Sequence, residues 1–290
     1  MDWLKAHGLG NDYLAIDAGR LPGELTPPVV RLICDRNHGL GSDGILVRVA
    51  SSEADFGIRI YNPDGSEAEK SGNGLRIFAV YLLEAGDVTV GVPFRVETKS
   101  GTVRLEVVDV SPDGVYMVEA AMGRASFRSS AVGLQGPDRE VDGETLELPG
   151  GDRVAIYTVS VGNPHCVCFE DELVLEDLRR RGPLISTHPW FAQGTNVQFA
   201  RATGPDEVEA FVWERGAGET LASGSSACAV AAAAVRRGLV QEHAVRVVMP
   251  GGTLQVTVGA EWDLVLRGPV ESVARARLSP GFIRRLEQLS

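Results

Sequence analysis

The chain has 290 residues, which is enough for two domains of ordinary size. Hydrophobic residues make up 44% of it, as in a globular protein, and the formal net charge of −11 argues against non-specific binding of nucleic acid or of an anionic membrane surface. The sequence contains no apolar stretch near the roughly 18 residues of a membrane span, and Met1 to Lys5 lack the pattern of a signal peptide. We therefore expect a cytoplasmic protein. The net charge does not exclude a small zwitterionic ligand, which is recognised by local groups.

The four cysteines raise the question of a metal site. They are Cys34, Cys166, Cys168 and Cys228. Cys166 and Cys168 are two residues apart on a predicted strand, so their side chains face the same side, but no second close pair and no histidine at zinc-finger spacing accompanies them. We predict no metal site and interpret the cysteines as buried free thiols.

The sequence contains an internal repeat with an offset of 152 residues, which aligns four separate segments without a gap. The aligned pairs are Gly10-Asn11 with Gly162-Asn163, Ile60-Tyr61 with Val212-Trp213, Gly65-Ser66-Glu67 with Ala217-Gly218-Glu219, and Ser71-Gly72 with Ser223-Gly224. Each match is weak alone, but a common register is hard to obtain by chance. The repeat predicts two halves that are built alike.

Each half has the same order of predicted elements. The first half has strands at residues 4–11 and 57–61, then a helix at 73–83 with apolar residues at helical spacing. The second half has strands at 157–163 and 208–213, then a helix at 225–237 that consists mostly of alanine and valine. Basic residues in the last turn and the following Gly238 are typical of a helix end. A helix that is apolar on all sides is expected to be buried.

These elements predict an α+β protein with two pseudo-symmetric domains, each a mostly antiparallel sheet wrapped around a central helix. We place the boundary at Gly123, so that the domains comprise residues 1–123 and 124–275. The last segment, residues 276–290, is expected to return to the first domain.

Ser71 and Ser223 occupy related positions, each in a glycine-containing loop directly before a predicted helix. The first N–H groups of a helix have no partner within it, and the helix dipole places partial positive charge there, so such a loop suits a carboxylate. Serine is also a common N-cap, and a single loop of this kind is most often only a cap. Two loops related by a repeat suggest instead that both helix starts flank one ligand.

That arrangement suits the inversion of a carbon centre by proton transfer. Such a reaction needs a base on one face of the carbon and an acid on the other. The two helix N-termini would hold the α-carboxylate and stabilise the charge that develops when the Cα–H bond breaks. Ser71 and Ser223 are therefore the candidate reacting side chains.

Further polar residues are candidates for ligand binding. Glu214 and Arg215 follow a predicted strand, and they are either an ordinary surface ion pair or a site in which Arg215 holds a carboxylate. His165 is either a hydrogen-bonded structural residue or a group that tunes a proton donor. An asparagine in a loop is usually a turn residue, but converging amides would suit a ligand with several ammonium and carboxylate groups. The asparagines in question are Asn11, Asn62, Asn73, Asn163 and Asn196.

The motifs of nearly the whole chain resemble those of the diaminopimelate epimerase family. In order, they are residues 5–13 (KAHGLGNDY), 35–36 (DR), 39–44 (GLGSDG), 62–67 (NPDGSE), 72–74 (GNG), 162–165 (GNPH), 214–220 (ERGAGET), 250–252 (PGG) and 268–269 (GP). So many ordered blocks make the resemblance specific.

The resemblance implies an isomerase of amino-acid biosynthesis that interconverts LL- and meso-diaminopimelate without a cofactor, on the route to lysine and peptidoglycan, and that forms a homodimer. It also implies that His165 and Glu214 lie beside the two reacting positions. The ligand-binding positions that it implies are Asn11, Asp43, Asn62, Gly72, Asn73, Gly74, Asn163, Asn196, Glu214, Arg215, Gly224 and Ser225.

The chain departs from the family where Ser71 and Ser223 replace two cysteines that act as thiolate base and thiol acid. A thiol has a pKa near 8.5 and a hydroxyl has one near that of water, roughly 15.7, so forming an alkoxide costs roughly 10 kcal/mol more. We therefore expect a chain that binds its ligand and epimerises it very slowly or not at all. The serines are either substitutions introduced to hold an unreacted ligand or natural residues of a protein that only binds an amino acid or acts as a hydroxyproline epimerase or dehydratase.

Overall fold

The computed structural model describes residues 3–21 and 23–290, so Met1 and Asp2, which the sequence analysis considered in the search for a signal peptide, lie outside the described residues. The chain divides into two compact units, the first comprising Met1–Ala120 with Gly268–Ser290 and the second Ala121–Arg267. The sequence predicts divisions after residues 123 and 275 instead. Gly123, which we took for a linker residue, lies inside a strand, and this accounts for the first difference.

Seventeen strands and five α-helices make up most of the described chain. The strands are β1 (Trp3–Gly8), β2 (Asn11–Asp17), β3 (Ile45–Val49), β4 (Phe56–Tyr61), β5 (Glu67–Ala68), β6 (Phe94–Thr98), β7 (Gly101–Val110), β8 (Val115–Arg124), β9 (Asp142–Glu147), β10 (Arg153–Ser160), β11 (Pro164–Phe169), β12 (Asn196–Ala202), β13 (Glu207–Glu214), β14 (Gly218–Thr220), β15 (Ala244–Met249), β16 (Gly252–Val258) and β17 (Asp263–Ala276). The helices are α1 (Pro27–Cys34), α2 (Gly72–Ala85), α3 (Leu175–Ser186), α4 (Gly224–Arg236) and α5 (Pro280–Glu287). Ala18–Arg20 and Ser129–Val132 form short 3-10 helices.

In the first unit a mixed sheet surrounds α2. β1 pairs antiparallel with β2 and with the end of β17, and β2 pairs parallel with β3. β3 and β4 are antiparallel, β4 pairs with both β5 and β6, and β6, β7 and the first part of β8 form an antiparallel meander. The helix contacts β1, β2 and β7, and residues 73–82 are all buried. A second core lies on the outer face, where Leu286 of α5 packs with Trp3, Leu14 and Val29.

The second unit repeats this topology around α4. β10 and β11 are antiparallel, β11 and β12 parallel, and β12 and β13 antiparallel. β13 pairs with β14 and β15, and β15, β16 and the start of β17 are antiparallel. β10, β11, β12, β13, β15 and β16 all contact α4, which is buried from Ser226 to Ala234. The same strand pairings recur at the offset found in the sequence, which confirms the predicted α+β class with one central helix in each half.

A glycine with positive φ follows each central helix, and the sequence analysis named the one after the second helix, Gly238. α2 ends at Ala85, and Gly86 follows in the left-handed region with φ 82°, a conformation that a residue with a side chain rarely adopts. After α4, Gly238 has φ 64°. The predicted strand ending in Gly10-Asn11 differs from the structure, because Leu9 and Gly10, both with positive φ, form a turn and Asn11 begins the next strand.

We predict that Leu82→Ala in α2 lowers the free energy of unfolding by about 2–5 kcal/mol, because Leu82 is fully buried and its loss leaves a cavity inside the surrounding sheet. Urea denaturation measures the change. Val92→Ala is the control, since Val92 is 54% exposed and its truncation should change the free energy by no more than about 0.5 kcal/mol. Equal effects of the two changes would contradict burial of this face of α2.

Candidate active site

The first candidate half-site lies at the start of α2 and centres on Ser71. This residue is the N-cap of the helix, with extended backbone (φ −138°, ψ 119°), and its Oγ accepts a hydrogen bond from the Gly74 N–H at 3.0 Å. Tyr13 on β2 places its phenol oxygen 3.2 Å from the same Oγ. A Cβ at Gly74 would come within 3.2 Å of Ser71 Oγ and 3.0 Å of Leu46, so glycine there permits the close approach of loop and helix.

A chain of side-chain amides runs through this half-site between two opposite charges. Arg76, which is fully buried on α2, donates to Asn73 Oδ1 at 2.8 Å. Asn73 Nδ2 donates to Asn11 Oδ1 at 3.1 Å, and Asn11 Nδ2 donates to Asp43 Oδ2 at 3.0 Å. Since a guanidinium only donates and a carboxylate only accepts, the two ends fix the direction of both amides. The second N–H of each amide is thereby kept as a donor.

The carboxylate end of this chain belongs to a charge cluster. Arg36 contacts both Asp12 and Asp43 at 2.7 Å, and Lys5 contacts Asp12 at 3.1 Å. Burial raises the pKa of Asp12, but its hydrogen bonds with Arg36 and Lys5 lower it more, so the pKa lies below its ordinary value. Arg36 also holds the side chain of Asp43 in place beside the amides.

The second candidate half-site lies at the start of α4 and centres on Ser223. Its backbone (φ −142°, ψ 124°) closely matches that of Ser71, and the residue is buried. The hydroxyl makes no cap hydrogen bond to the helix and instead donates to the carboxylate of Glu214, at the end of β13. Burial raises the pKa of Glu214 and the bond with Ser223 lowers it in part, leaving it above its ordinary value. Glu214 is thus a hydrogen-bonding partner of Ser223, which argues against the surface ion pair.

His165 begins a buried hydrogen-bonded chain in the second half-site. Its Nε2 lies 3.0 Å from Asn163 Oδ1, and its Nδ1 lies 3.0 Å from Gln198 Nε2, which also donates to Ser226 Oγ at 3.0 Å. A neutral imidazole has one donor and one acceptor, and these two contacts use both. Burial and, to a smaller extent, nearby Arg215 lower the pKa of His165 while the hydrogen bond with Gln198 raises it in part, and the resulting pKa is about 3. The bonding favours positioning of Asn163 over the activation of a serine considered from the sequence.

The remaining predicted residues differ in the partners to which they bond. Asn196 bridges the second half-site, because its Nδ2 donates to the Pro164 carbonyl at 2.9 Å and its Oδ1 accepts from the Arg215 N–H at 3.0 Å. Arg215 is exposed, and its guanidinium donates to the Gln193 carbonyl. Asn62 bonds within its own turn, where its Nδ2 donates to Ser66 Oγ at 3.0 Å. The residues at the first turns of the helices are Gly72, Asn73 and Gly74 in α2 and Gly224 and Ser225 in α4.

Three residues that the structure places in these networks escaped the sequence analysis: Tyr13, Arg76 and Gln198. Tyr13 lies within the N-terminal motif, but the sequence alone does not distinguish it from the apolar residues of a strand. Arg76 and Gln198 each interrupt an otherwise apolar buried segment, and both are fully buried. A polar residue in such a segment requires partners, and this requirement is the signal that could have found them.

The part of the chain that the structure describes contains no group of three or more metal-ligating side chains. No helix among residues 3–21 and 23–290 is long and apolar enough to cross a membrane.

Comparisons with known proteins show the family of this chain. The sequence model of diaminopimelate epimerase matches residues 3–127 and 157–273. Diaminopimelate epimerase 2 of a Nostoc species is 43% identical over 283 residues, 96% of each chain, and the diaminopimelate epimerase of Pelotomaculum thermopropionicum is 41% identical over 275 residues, 94% of this chain and 97% of that one. This chain belongs to the diaminopimelate epimerase family.

Solved structures outside the diaminopimelate epimerase family share its fold. A hydroxyproline epimerase from Agrobacterium vitis has a TM-score of 0.69 at 14% identity and covers 97% of this chain and 93% of its own. A phenazine biosynthesis protein from Bacillus anthracis has a TM-score of 0.67 at 16% identity, with 96% and 99% covered. At such identities the likeness concerns the fold alone.

We predict that Arg76→Met disturbs Asn11 as well as Asn73 in this epimerase-family chain, although only Asn73 bonds to Arg76 among the contacts above. Without the cation, the direction of the amide chain is fixed at one end only, and the unfolding free energy should fall by about 2 kcal/mol. Two-dimensional ¹H–¹⁵N NMR of the side-chain amides, assigned with Asn→Ala variants, measures the effect. Arg76→Lys, which keeps a donor and the charge, should shift both signals less. A change confined to Asn73 would contradict the chain.

We also predict that His165 lowers the free energy of unfolding at acidic pH. Its folded pKa is lowered to about 3, so below about pH 6.5 the unfolded state binds a proton that the folded state does not. Relative to His165→Gln, the unfolding free energy should be independent of pH above about 6.5 and should fall between about pH 6.5 and 3, by up to about 1.4 kcal/mol per unit. Urea denaturation at several pH values measures it. Parallel curves for both proteins would show that His165 titrates normally.

Proposed function

We propose that the protein binds diaminopimelate and interconverts its LL and meso forms by proton transfer at Cα, with Ser71 and Ser223 as the side chains nearest to the reacting carbon. The observation that carries the proposal is the near-identical extended backbone of these serines, each directly before a buried helix with unpaired N–H groups. The curated relatives named diaminopimelate epimerase support the substrate. The reaction needs no cofactor, since the proton moves between groups of the chain and the ligand.

The amides of the two half-sites suit the polar groups of this ligand. Asn11 and Asn73 offer N–H donors whose direction Arg76 and Asp43 fix, and these donors suit a carboxylate. Asn163, held by His165, and Asn196, held by the Arg215 N–H, are the corresponding groups of the second half-site. The N–H groups at the starts of α2 and α4 would stabilise negative charge on the α-carboxylate as the Cα–H bond breaks.

The serines set the expected rate. A hydroxyl is about seven pKa units less acidic than a thiol, so neither Ser71 nor Ser223 ionises as a cysteine would at the start of a helix. We therefore propose that the chain binds diaminopimelate but epimerises it slowly. The serines also favour a second candidate, an amino-acid-binding protein without catalysis.

We predict that the double variant Ser71→Cys, Ser223→Cys exchanges the Cα proton of LL-diaminopimelate with deuterated solvent at least about a thousandfold faster than the parent chain, because thiolates form readily at helix N-termini. Proton NMR of the ligand measures exchange, and titration calorimetry measures binding. The single variants are controls, since each still lacks one of the two thiols. Binding without exchange by the double variant would favour the binding protein, and turnover of trans-4-hydroxy-L-proline instead would overturn the substrate.

The family resemblance further leads us to propose a homodimer, which light scattering of the purified protein tests directly. The cytoplasmic location expected from the sequence stays a prediction.

A further inference from the structure

Tyr13 is an ionisable side chain in direct contact with Ser71 in the first half-site. Its phenol oxygen lies 3.2 Å from Ser71 Oγ, and the side chain is almost completely buried. Either oxygen can donate in this contact. Ser71 Oγ also accepts from the Gly74 N–H, so the hydroxyl has one hydrogen and one lone pair with which to connect Tyr13 to a ligand.

Glycines in the neighbouring backbone leave room for the contact between Tyr13 and Ser71. A Cβ at Gly44 would lie 2.6 Å from the Tyr13 ring and 2.5 Å from the Tyr61 carbonyl oxygen, distances that real Cβ atoms do not reach. Only glycine at this position lets the ring lie against the loop before β3. On the other side, Gly74 lets the turn that carries Ser71 approach the helix. The phenol and the hydroxyl are therefore held together by packing that leaves little room for either to move away.

The chemistry of the two groups differs in a useful way. A serine hydroxyl has a pKa near that of water, roughly 15.7, whereas a tyrosine has one of about 10. By these reference values, a phenol loses a proton much more easily than an aliphatic hydroxyl does. We propose that Tyr13 is the proton donor and acceptor of the first half-site, and that Ser71 relays the proton between Tyr13 and the α-carbon of the ligand.

The relay balances in both directions. For donation, the Tyr13 O–H bond breaks as Ser71 Oγ gains that proton, and the Ser71 O–H bond breaks as the carbanion gains a C–H bond, which leaves Tyr13 as a phenolate. For abstraction, the phenolate takes the Ser71 proton while Ser71 Oγ takes the proton of Cα. Ser71 ends each event as a neutral hydroxyl, so no free alkoxide is needed. Tyr13 returns to its starting state by exchange with solvent.

This inference rests on the proposed function, because it supplies the group through which slow epimerisation would proceed. It also separates Tyr13 from a merely structural tyrosine. A residue that only supports the fold would matter equally whether position 71 is serine or cysteine. A relay partner matters only for serine, since a cysteine at this position forms its own thiolate.

The test compares Tyr13→Phe in two backgrounds. In the parent chain, we expect the rate of Cα proton exchange of diaminopimelate to fall about 100-fold, a typical contribution of general acid–base catalysis, while the Kd of the ligand changes less than about twofold. In the Ser71→Cys, Ser223→Cys background, the same change should lower the rate less than about threefold. Tyr81→Phe is the matched control, because Tyr81 is also buried but stacks on Phe78 within α2, and it should change neither quantity.

Three results would overturn the relay. They are an equal effect of Tyr13→Phe in both backgrounds, an unchanged rate in the parent chain, and a parent chain that binds diaminopimelate without any exchange above the protein-free rate. Ser71→Ala should be as slow as Tyr13→Phe, and combining the two should slow exchange no further, since both break the same path. Failure of the proposed function is recognised separately, as a double cysteine variant that does not exchange the Cα proton of diaminopimelate, whether or not it binds the ligand.

Discussion

Each central helix begins with N–H groups that have no partner inside the helix, and a serine in extended conformation stands directly before each one. The rest of each helix is largely buried and contacts the surrounding strands, so these N–H groups are polar groups at the end of a mostly apolar helix. Glycine at position 74 lets the loop with Ser71 pass close to α2, and polar side chains bond to one another near both helix starts.

The two half-sites satisfy this common constraint with different groups. Around α2, a buried guanidinium and an exposed pair of Arg36 and Asp43 fix the amides between them. Around α4, the neutral imidazole of His165 and the amide of Gln198 form the corresponding hydrogen bonds, and Ser223 interacts with the carboxylate of Glu214. The backbone conformation is thus the same in both half-sites, whereas the charged and polar side chains around the two serines differ. Ser71 is used as a helix cap and Ser223 is not, so the two hydroxyls are in unequal environments from the start.

The replacement of sulfur by oxygen changes what the neighbours must do. A thiol at a helix N-terminus needs little beyond the dipole to ionise, whereas a hydroxyl can move protons only together with a more acidic partner. Tyr13 and Glu214 are such partners, one for each serine. An ionisable side chain thus interacts with each serine, Tyr13 with Ser71 and Glu214 with Ser223.

The sequence by itself determined the repeat, the two central helices, the glycine after the second of them and the family, because hydrophobic periodicity and ordered motifs are local properties of the chain. It also found most of the polar residues near the two serines. Only the tertiary structure decided which of them bond to one another: Asn73 to Asn11, His165 to Gln198, and Tyr13 to Ser71 are pairs far apart in sequence. It also assigned Asn62 to its own turn and placed Gly123 inside a strand. The physical reason is that hydrogen-bond partners and the pKa of a buried group depend on the distances and desolvation created when strands and helices pack, and no local pattern encodes these.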